Sequence, residues 1–211
     1  MNGYMDFIVE PVEGRYDNKL EIGESELILN TELQNHNYVS RIGIVLAEPY
    51  NNKTNIKKGD QIIVHHNVFR RFRDIRGNEK NSKSYFKENQ YFVHSDQIFG
   101  YNRGDGWKAC DGFNFIKPIQ ETKMFSTDFE RPKIGVLKYK DKALDSISEG
   151  DLIGFRPGFE YEFIIDGEKL YRVPTNQITI KYEYQGDEEE YHPSWTKGGG
   201  GVNQGCKGTY C

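Results

Sequence analysis

The chain has 211 residues, 36% hydrophobic and 28% charged, with a mean hydropathy of −0.77 and a formal net charge of −4. A chain this polar favours small, thin-walled modules over one large core. It holds no run of apolar residues long enough for a membrane-spanning helix, and its negative charge argues against a protein that coats nucleic acid along its whole length. The opening Met1-Asn2-Gly3-Tyr4 lacks the basic and apolar stretches of a secretory signal, and three cysteines are an odd set for a disulfide framework, so a reducing cytoplasm is expected.

Short apolar runs follow one another along the chain. Residues 6–9, 42–46, 61–64, 90–93, 161–165 and 177–180 are predicted strands, because each is brief, rich in β-branched or aromatic residues and bounded by Gly, Asn, Asp or Pro. Asp166-Gly167 lies between apolar-rich flanks and predicts a two-residue hairpin turn, since glycine takes a positive φ without a Cβ penalty. No segment sustains a 3.6-residue apolar period over three turns. The expected class is all-β, a sandwich or barrel of short strands.

The punctuation occurs twice, in the same order. The first set is Phe7-Ile8-Val9-Glu10-Pro11, Ile42-Gly43-Ile44-Val45, Lys58-Gly59-Asp60-Gln61-Ile62 and Asp96-Gln97-Ile98. The second is Phe115-Ile116-Lys117-Pro118, Ile134-Gly135-Val136-Leu137, Glu149-Gly150-Asp151-Leu152-Ile153 and Asn176-Gln177-Ile178. Gly43 to Gly59 spans 16 residues and Gly135 to Gly150 spans 15, whereas Pro11 to Gly43 spans 32 against 17 for Pro118 to Gly135. Asp60 to Gln97 spans 37 against 26 for Asp151 to Gln177. The first copy thus carries two insertions. Asn102-Arg103-Gly104-Asp105-Gly106 has linker composition, which sets expected domains at residues 1–102 and 103–184. An acidic run, Asp187-Glu188-Glu189-Glu190, and the tract Gly198-Gly199-Gly200-Gly201 mark residues 185–211 as a flexible tail.

The ordered set resembles the GroES-like co-chaperonin family, twice over most of residues 5–182. That resemblance implies two tandem small β-barrels, assembly into a ring, and a cap on an ATP-driven, GroEL-like chaperonin that folds client proteins. It implies no catalytic residue, cofactor or metal in this chain, since ATP belongs to the partner. It also implies a mobile loop after the first strand that ends in an apolar anchor. Residues 13–26 are polar with two glycines, and Leu27-Ile28-Leu29 follows in the anchor position. The second copy lacks this loop. Between the Gly-x-Val strand and Gly-Asp, Glu48-Pro49-Tyr50-Asn51-Asn52-Lys53 is too short for the family's roof hairpin. Roofless forms look like bacteriophage co-chaperonins, which would act in the host cytoplasm. The rival expectation is a phage virion or assembly protein that keeps the barrel and has lost the chaperonin.

Three other signals need a place. Residues 69–87 hold seven Arg or Lys against Asp74 and Glu79, a net +5, interleaved with Phe69, Phe72, Tyr85 and Phe86. Such interleaving suits single-stranded nucleic acid, but an enlarged, solvated hairpin is the expectation. His65-His66 is not expected to hold metal, since neighbours on a strand point to opposite faces. Cys110, Cys206 and Cys211 lack ligand spacing, and Gly198-Gly199-Gly200-Gly201 is followed by neither the Lys-Ser/Thr nor the helix of a phosphate loop.

Overall fold

A computed structural model describes residues 3–12, 14–16, 19–22, 25–28, 39–121 and 129–193. The protein is all-β, 50% strand and 4% helical. It divides into two compact units, with the division at Trp107/Lys108.

The first unit contains β1 (Phe7–Pro11), β2 (Lys19–Ile22), β3 (Ser25–Ile28), β4 (Ile42–Ala47), β5 (Gln61–Val64), β6 (Arg71–Arg73), β7 (Glu79–Asn81), β8 (Tyr85–Lys87), β9 (Gln90–Val93) and β10 (Ile98–Asn102). β11 (Trp107–Ala109) spans the division. The main sheet runs β11-β10-β5-β4-β1-β9-β8, while β2-β3 and β6-β7 are separate two-stranded sheets. The second unit contains β12 (Phe113–Gln120), β13 (Glu130–Tyr139), β14 (Leu152–Phe155), β15 (Tyr161–Ile165), β16 (Glu168–Pro174) and β17 (Ile178–Tyr182), in the order β15-β16-β12-β13-β14-β17.

Read from the other edge, the second order is the first with β11 removed: β17, β14, β13, β12, β16 and β15 stand where β10, β5, β4, β1, β9 and β8 stand. The register repeats as well. Val9 faces Val45 and Tyr91; Ile116 faces Leu137 and Tyr171. Gly43 faces Ile62, and Gly135 faces Ile153. Both last strands slip at the same point, between Ile98 and Gly100 in one unit and opposite Gly154/Phe155 in the other. A 3-10 turn leads into each last strand, at Ser95–Gln97 and at Thr175–Gln177.

The repeated glycines have physical reasons. A Cβ on Gly43 would stand 2.5 Å from Val9 Cγ1, and one on Gly135 would stand 2.3 Å from the Lys117 carbonyl oxygen. Only glycine lets β4 and β13 lie this close to β1 and β12. Gly59 and Gly150 have φ of 92° and 91° and turn the chain into β5 and β14. In each corner the aspartate carboxylate accepts a backbone N–H three residues back at 2.8 Å, from Lys57 to Asp60 and from Ser148 to Asp151. The glycine N–H donates back to the preceding strand at 2.8 Å, to Val45 and to Leu137.

Apolar side chains fill each unit. Val9, Ile62, Val64, Phe69, Tyr91 and Ile98 are fully buried in the first; Ile116, Leu137, Ile153, Phe155 and Val173 form a buried cluster in the second. One position differs in kind. Phe7 opposes Val93, and its counterpart Asn114 opposes Val173. Asn114 is fully buried, accepts from the Asp141 N–H at 2.8 Å and donates to Thr175 Oγ1 at 3.0 Å. The Asp141 carboxylate accepts from Thr175 Oγ1 at 2.6 Å, Gly112 N–H at 2.9 Å and Ala143 N–H at 3.1 Å. This polar island is satisfied by its own members, as burial requires.

Several expectations change here. The sheets are open: β8 and β11 are edges in one, β15 and β17 in the other, so neither closes into a hydrogen-bonded barrel. In the first unit the edge strands have only three residues each and offer little backbone for closure. The Asp166-Gly167 turn forms as expected, with φ of 51° and 75° between the paired Ile165 and Glu168. The segment assigned to a free tail from residue 185 is held against β12 as far as it is described. Gln120 N–H donates to Glu189 at 2.8 Å and Tyr191 N–H donates to Pro118 at 2.9 Å. Pro193 is buried.

Truncation after Gly186 is expected to lower the melting temperature of the second unit. Two backbone hydrogen bonds, about 0.5–1.5 kcal/mol each, go with the segment, and an unchanged calorimetric trace would contradict the docking. Acid should act on the same unit through Asp141. Burial raises its pKa, but the hydrogen bonds from Thr175, Ala143 and Gly112 outweigh this and leave it lowered. Its contribution is therefore complete above the unfolded value, about 3.9, and is lost as pH falls through the depressed folded value. Asp141→Asn should be destabilised at neutral pH and converge with the natural protein in acid melts. Parallel curves down to the acid limit would show that the carboxylate charge is not used.

Candidate functional site

The features that distinguish the first unit are its two insertions, and both begin at the same place. Between β1 and β4 the chain leaves through Arg15 and Tyr16 and returns at Val39 and Ser40. Tyr16 and Val39 form an antiparallel bridge, and Ser40 N–H donates to the Arg15 carbonyl at 3.0 Å. The insertion therefore stands on a closed neck. Within it β2 and β3 pair Lys19 with Ile28, Leu20 with Leu27, Glu21 with Glu26 and Ile22 with Ser25. In the second unit Glu121 N–H already meets the Phe129 carbonyl at 2.8 Å, so the counterpart connection is short.

The second insertion lies between β5 and β8. β6 and β7 pair Arg71 with Asn81, Phe72 with Lys80 and Arg73 with Glu79. Its apex is an aspartate turn: Asp74 Oδ1 accepts from Arg76 and Asn78 N–H, both at 2.9 Å, and Gly77 has φ of 80°. Those backbone hydrogen bonds hold the Asp74 carboxyl below its usual pKa. Ile75 at the apex is fully exposed.

Arg15 ties the two roots together. Its Nε donates to the Phe69 carbonyl at 3.1 Å and Nη1 to Asn81 Oδ1 at 2.8 Å, with Nη2 3.5 Å from the Arg70 carbonyl. The guanidinium lies 5.4 Å from the centroid of the Tyr91 ring and 5.8 Å from that of Tyr85. Burial lowers its pKa, but arginine remains charged. Tyr16 Oη accepts from the Arg71 N–H at 2.7 Å, and Arg71 lies over the Tyr16 ring at 5.3 Å while pairing with Glu79 at 2.5 Å. Planar guanidinium groups between aromatic faces and carbonyls are suited to such a joint. Nothing local announces Arg15 in the sequence, since its partners lie 54 or more residues away.

The second unit has ionic networks instead. Lys117, at the position of Glu10, is fully buried, with Nζ 3.4 Å from His192 Nδ1 and 3.8 Å from Glu168. Burial pushes its pKa down, opposed by Glu168 and Glu190. Lys169 is buried and lies 3.1 Å from both Glu130 and Glu162. Burial disfavours its charge, but the two carboxylates outweigh this and raise its pKa. Tyr171 donates to Glu130. These groups satisfy one another, which is a structural role.

Of the sequence-predicted site, Leu27 and Ile28 lie on β3 and Leu29 falls outside the described residues. The expected loop contains a hairpin there. In the register of β2 and β3 Leu27 pairs with Leu20, so the paired apolar positions are Leu20 and Leu27. The alternation Leu20-Glu21-Ile22 before Gly23 was the available signal. His65 and His66 stack at 4.3 Å, because β5 ends at Val64 and alternation no longer applies. No group of three potential metal ligands occurs among the described residues. Burial pushes the Cys110 thiol up to about 12, which leaves it unreactive at neutral pH; Cys206 and Cys211 fall outside the described residues.

No protein-family model matches the chain, and no curated protein matches it in sequence.

Arg15→Met keeps the stem over Tyr91 and removes the charged hydrogen bonds. It should cost about 1.5–3 kcal/mol and accelerate hydrogen exchange at residues 69–81 and at Ser40. Unchanged exchange there would show that the two roots are held independently.

Proposed function

We propose that the protein is a co-chaperonin-like subunit. Copies form a ring, the ring caps an ATP-driven chaperonin, and the β2–β3 insertion makes the contact, with Leu20 added as an anchor to the expected Leu27, Ile28 and Leu29. The observation that carries this is the placement of the insertion. It follows the first strand of the first unit, stands on a closed neck and forms a sheet that pairs with no other strand among the described residues. The repeated order and register support reading each unit as a variant of the GroES-like module. A burial of two leucines is worth roughly 1.5–3 kcal/mol each before ordering costs. One insertion therefore binds weakly, and a ring of them binds through effective concentration.

The rival is a virion or assembly protein, favoured by the second unit, which lacks the insertion. Mixing the purified protein with a chaperonin and ATP distinguishes them. Capture should require nucleotide, and Leu20→Ser/Leu27→Ser should abolish it while leaving the melting curve of the main sheets in place. A collapsed melt would place these residues in a permanent core, and absence of capture by the natural chain would favour the assembly reading.

A further inference from the structure

The basic hairpin β6–β7 has two unlike faces. Arg71 and Asn81 oppose each other across the strands and share one of them. Arg15 bonds to Asn81 and Arg71 lies over the Tyr16 ring, so this face is turned to the neck. Phe72 and Lys80 are the next opposed pair, and alternation puts them on the other face. Both are exposed, Phe72 by 40%. β8, which follows the hairpin, repeats the combination of ring and cation. Phe86 is 38% exposed, its ring stands 4.6 Å from that of Phe92, and Lys87 Nζ lies 5.6 Å from its centroid. Residues 69–87 are +5, and both acids among them are engaged, Glu79 with Arg71 and Asp74 with the backbone of the apex turn. Arg76, Lys83 and Lys87 are exposed and have no anionic partner among the described residues.

We propose that the hairpin face bearing Phe72 and Lys80, together with Phe86 and Lys87 of β8, binds single-stranded nucleic acid. Unpaired bases stack on the two rings, and phosphates meet Arg76, Lys80, Lys83 and Lys87. The pairing of exposed rings with cations favours this occupant. An acidic protein surface would meet the cations and leave the rings idle. A duplex would meet the cations too, but its base faces are already stacked on one another. The chain as a whole is −4, so the cations hold a short stretch of strand at one place and do not coat it. The inference goes beyond chaperonin capture and does not rest on it.

Fluorescence anisotropy of a labelled dT oligonucleotide titrated with the full chain tests it. Three phosphate contacts should make the affinity fall roughly 20-fold between 50 and 200 mM salt. Arg76→Gln/Lys80→Gln/Lys83→Gln should remove most of that salt dependence. Phe72→Leu/Phe86→Leu keeps the apolar volume and loses the ring faces. It should weaken binding at least about fivefold and leave the salt slope in place. A duplex of the same length and poly-glutamate should both compete more weakly than the unlabelled oligonucleotide. A natural chain that does not bind at 50 mM salt overturns the proposal, and so it does where the chain's own acidic insertion already meets the hairpin. Poly-glutamate or a duplex that competes equally well overturns it, since the cations alone then explain binding. A ring variant that binds as tightly as the natural chain does the same. Should a variant not melt like the natural chain, photo-cross-linking of the natural chain to an oligonucleotide carrying 5-iodouracil decides. Adducts within residues 72–87 support the site, and adducts elsewhere or none refute it.

Discussion

A glycine with positive φ, followed by an aspartate whose carboxylate turns back onto the chain, sets the same corner in each sheet. The corner does three things at once. Glycine N–H and aspartate C=O complete the ladder to the preceding strand, at 2.8 and 3.0 Å around Val45 and at 2.8 and 2.9 Å around Leu137. The carboxylate fixes the turn. Its remaining charge then captures a cation from the end of the last strand: Asp60 takes Arg103 through two hydrogen bonds of 2.9 Å, and Asp151 takes Lys181 at 2.6 Å. Corner and last strand are therefore one joint, and the strands between them inherit their register from it. The Asp60 pairing is the more buried of the two, with its carboxylate 3% exposed against 22% for Asp151. Charge-assisted, bidentate bonds in that setting are the stronger kind.

With that joint in common, the two units differ around it. The first unit accepts long excursions, because the chain enters and leaves them at points already held by the sheet. The second replaces an aromatic–cation joint by carboxylate–lysine networks around the equivalent tyrosine. Tyr91 is buried under the Arg15 guanidinium, whereas Tyr171 is hydrogen-bonded to Glu130 and covered by Lys169 at 5.0 Å. The same ring position thus stands beside the roots of two insertions in one unit and within a polar network in the other.

Much of this was legible in the residues. Gly43, Gly135, Gly59-Asp60, Gly150-Asp151 and Asp166-Gly167 declare themselves, because steric close approach and positive φ each admit few residue types. What was not legible depends on distance or on backbone alone. Arg15 is one arginine among many until the fold places Asn81 beside it. The acidic segment at residues 187–190 looks solvated, yet it pairs with β12 through main-chain groups that any sequence possesses. Nothing in Phe115-Ile116-Lys117-Pro118 announces that Lys117 is fully buried. In the β2–β3 segment the polar content, which suggests a loop, outweighs the alternation of Leu20-Glu21-Ile22.

Two adjacent units with one register face a particular hazard during folding, since the first strand of either finds a matching slot in the other. The residues that differ at equivalent positions work against this exchange. β1 placed in the second unit would set Phe7 where Asn114 completes the Asp141–Thr175 island, and would orphan the buried Asp141 N–H. It would also set Glu10 where Lys117 faces Glu168 and Glu190, carboxylate against carboxylate. The reverse exchange would bury Asn114 among the apolar neighbours of Phe7 without partners. Polar identity along one strand therefore acts as an address, directing each copy of the same shape to its own sheet.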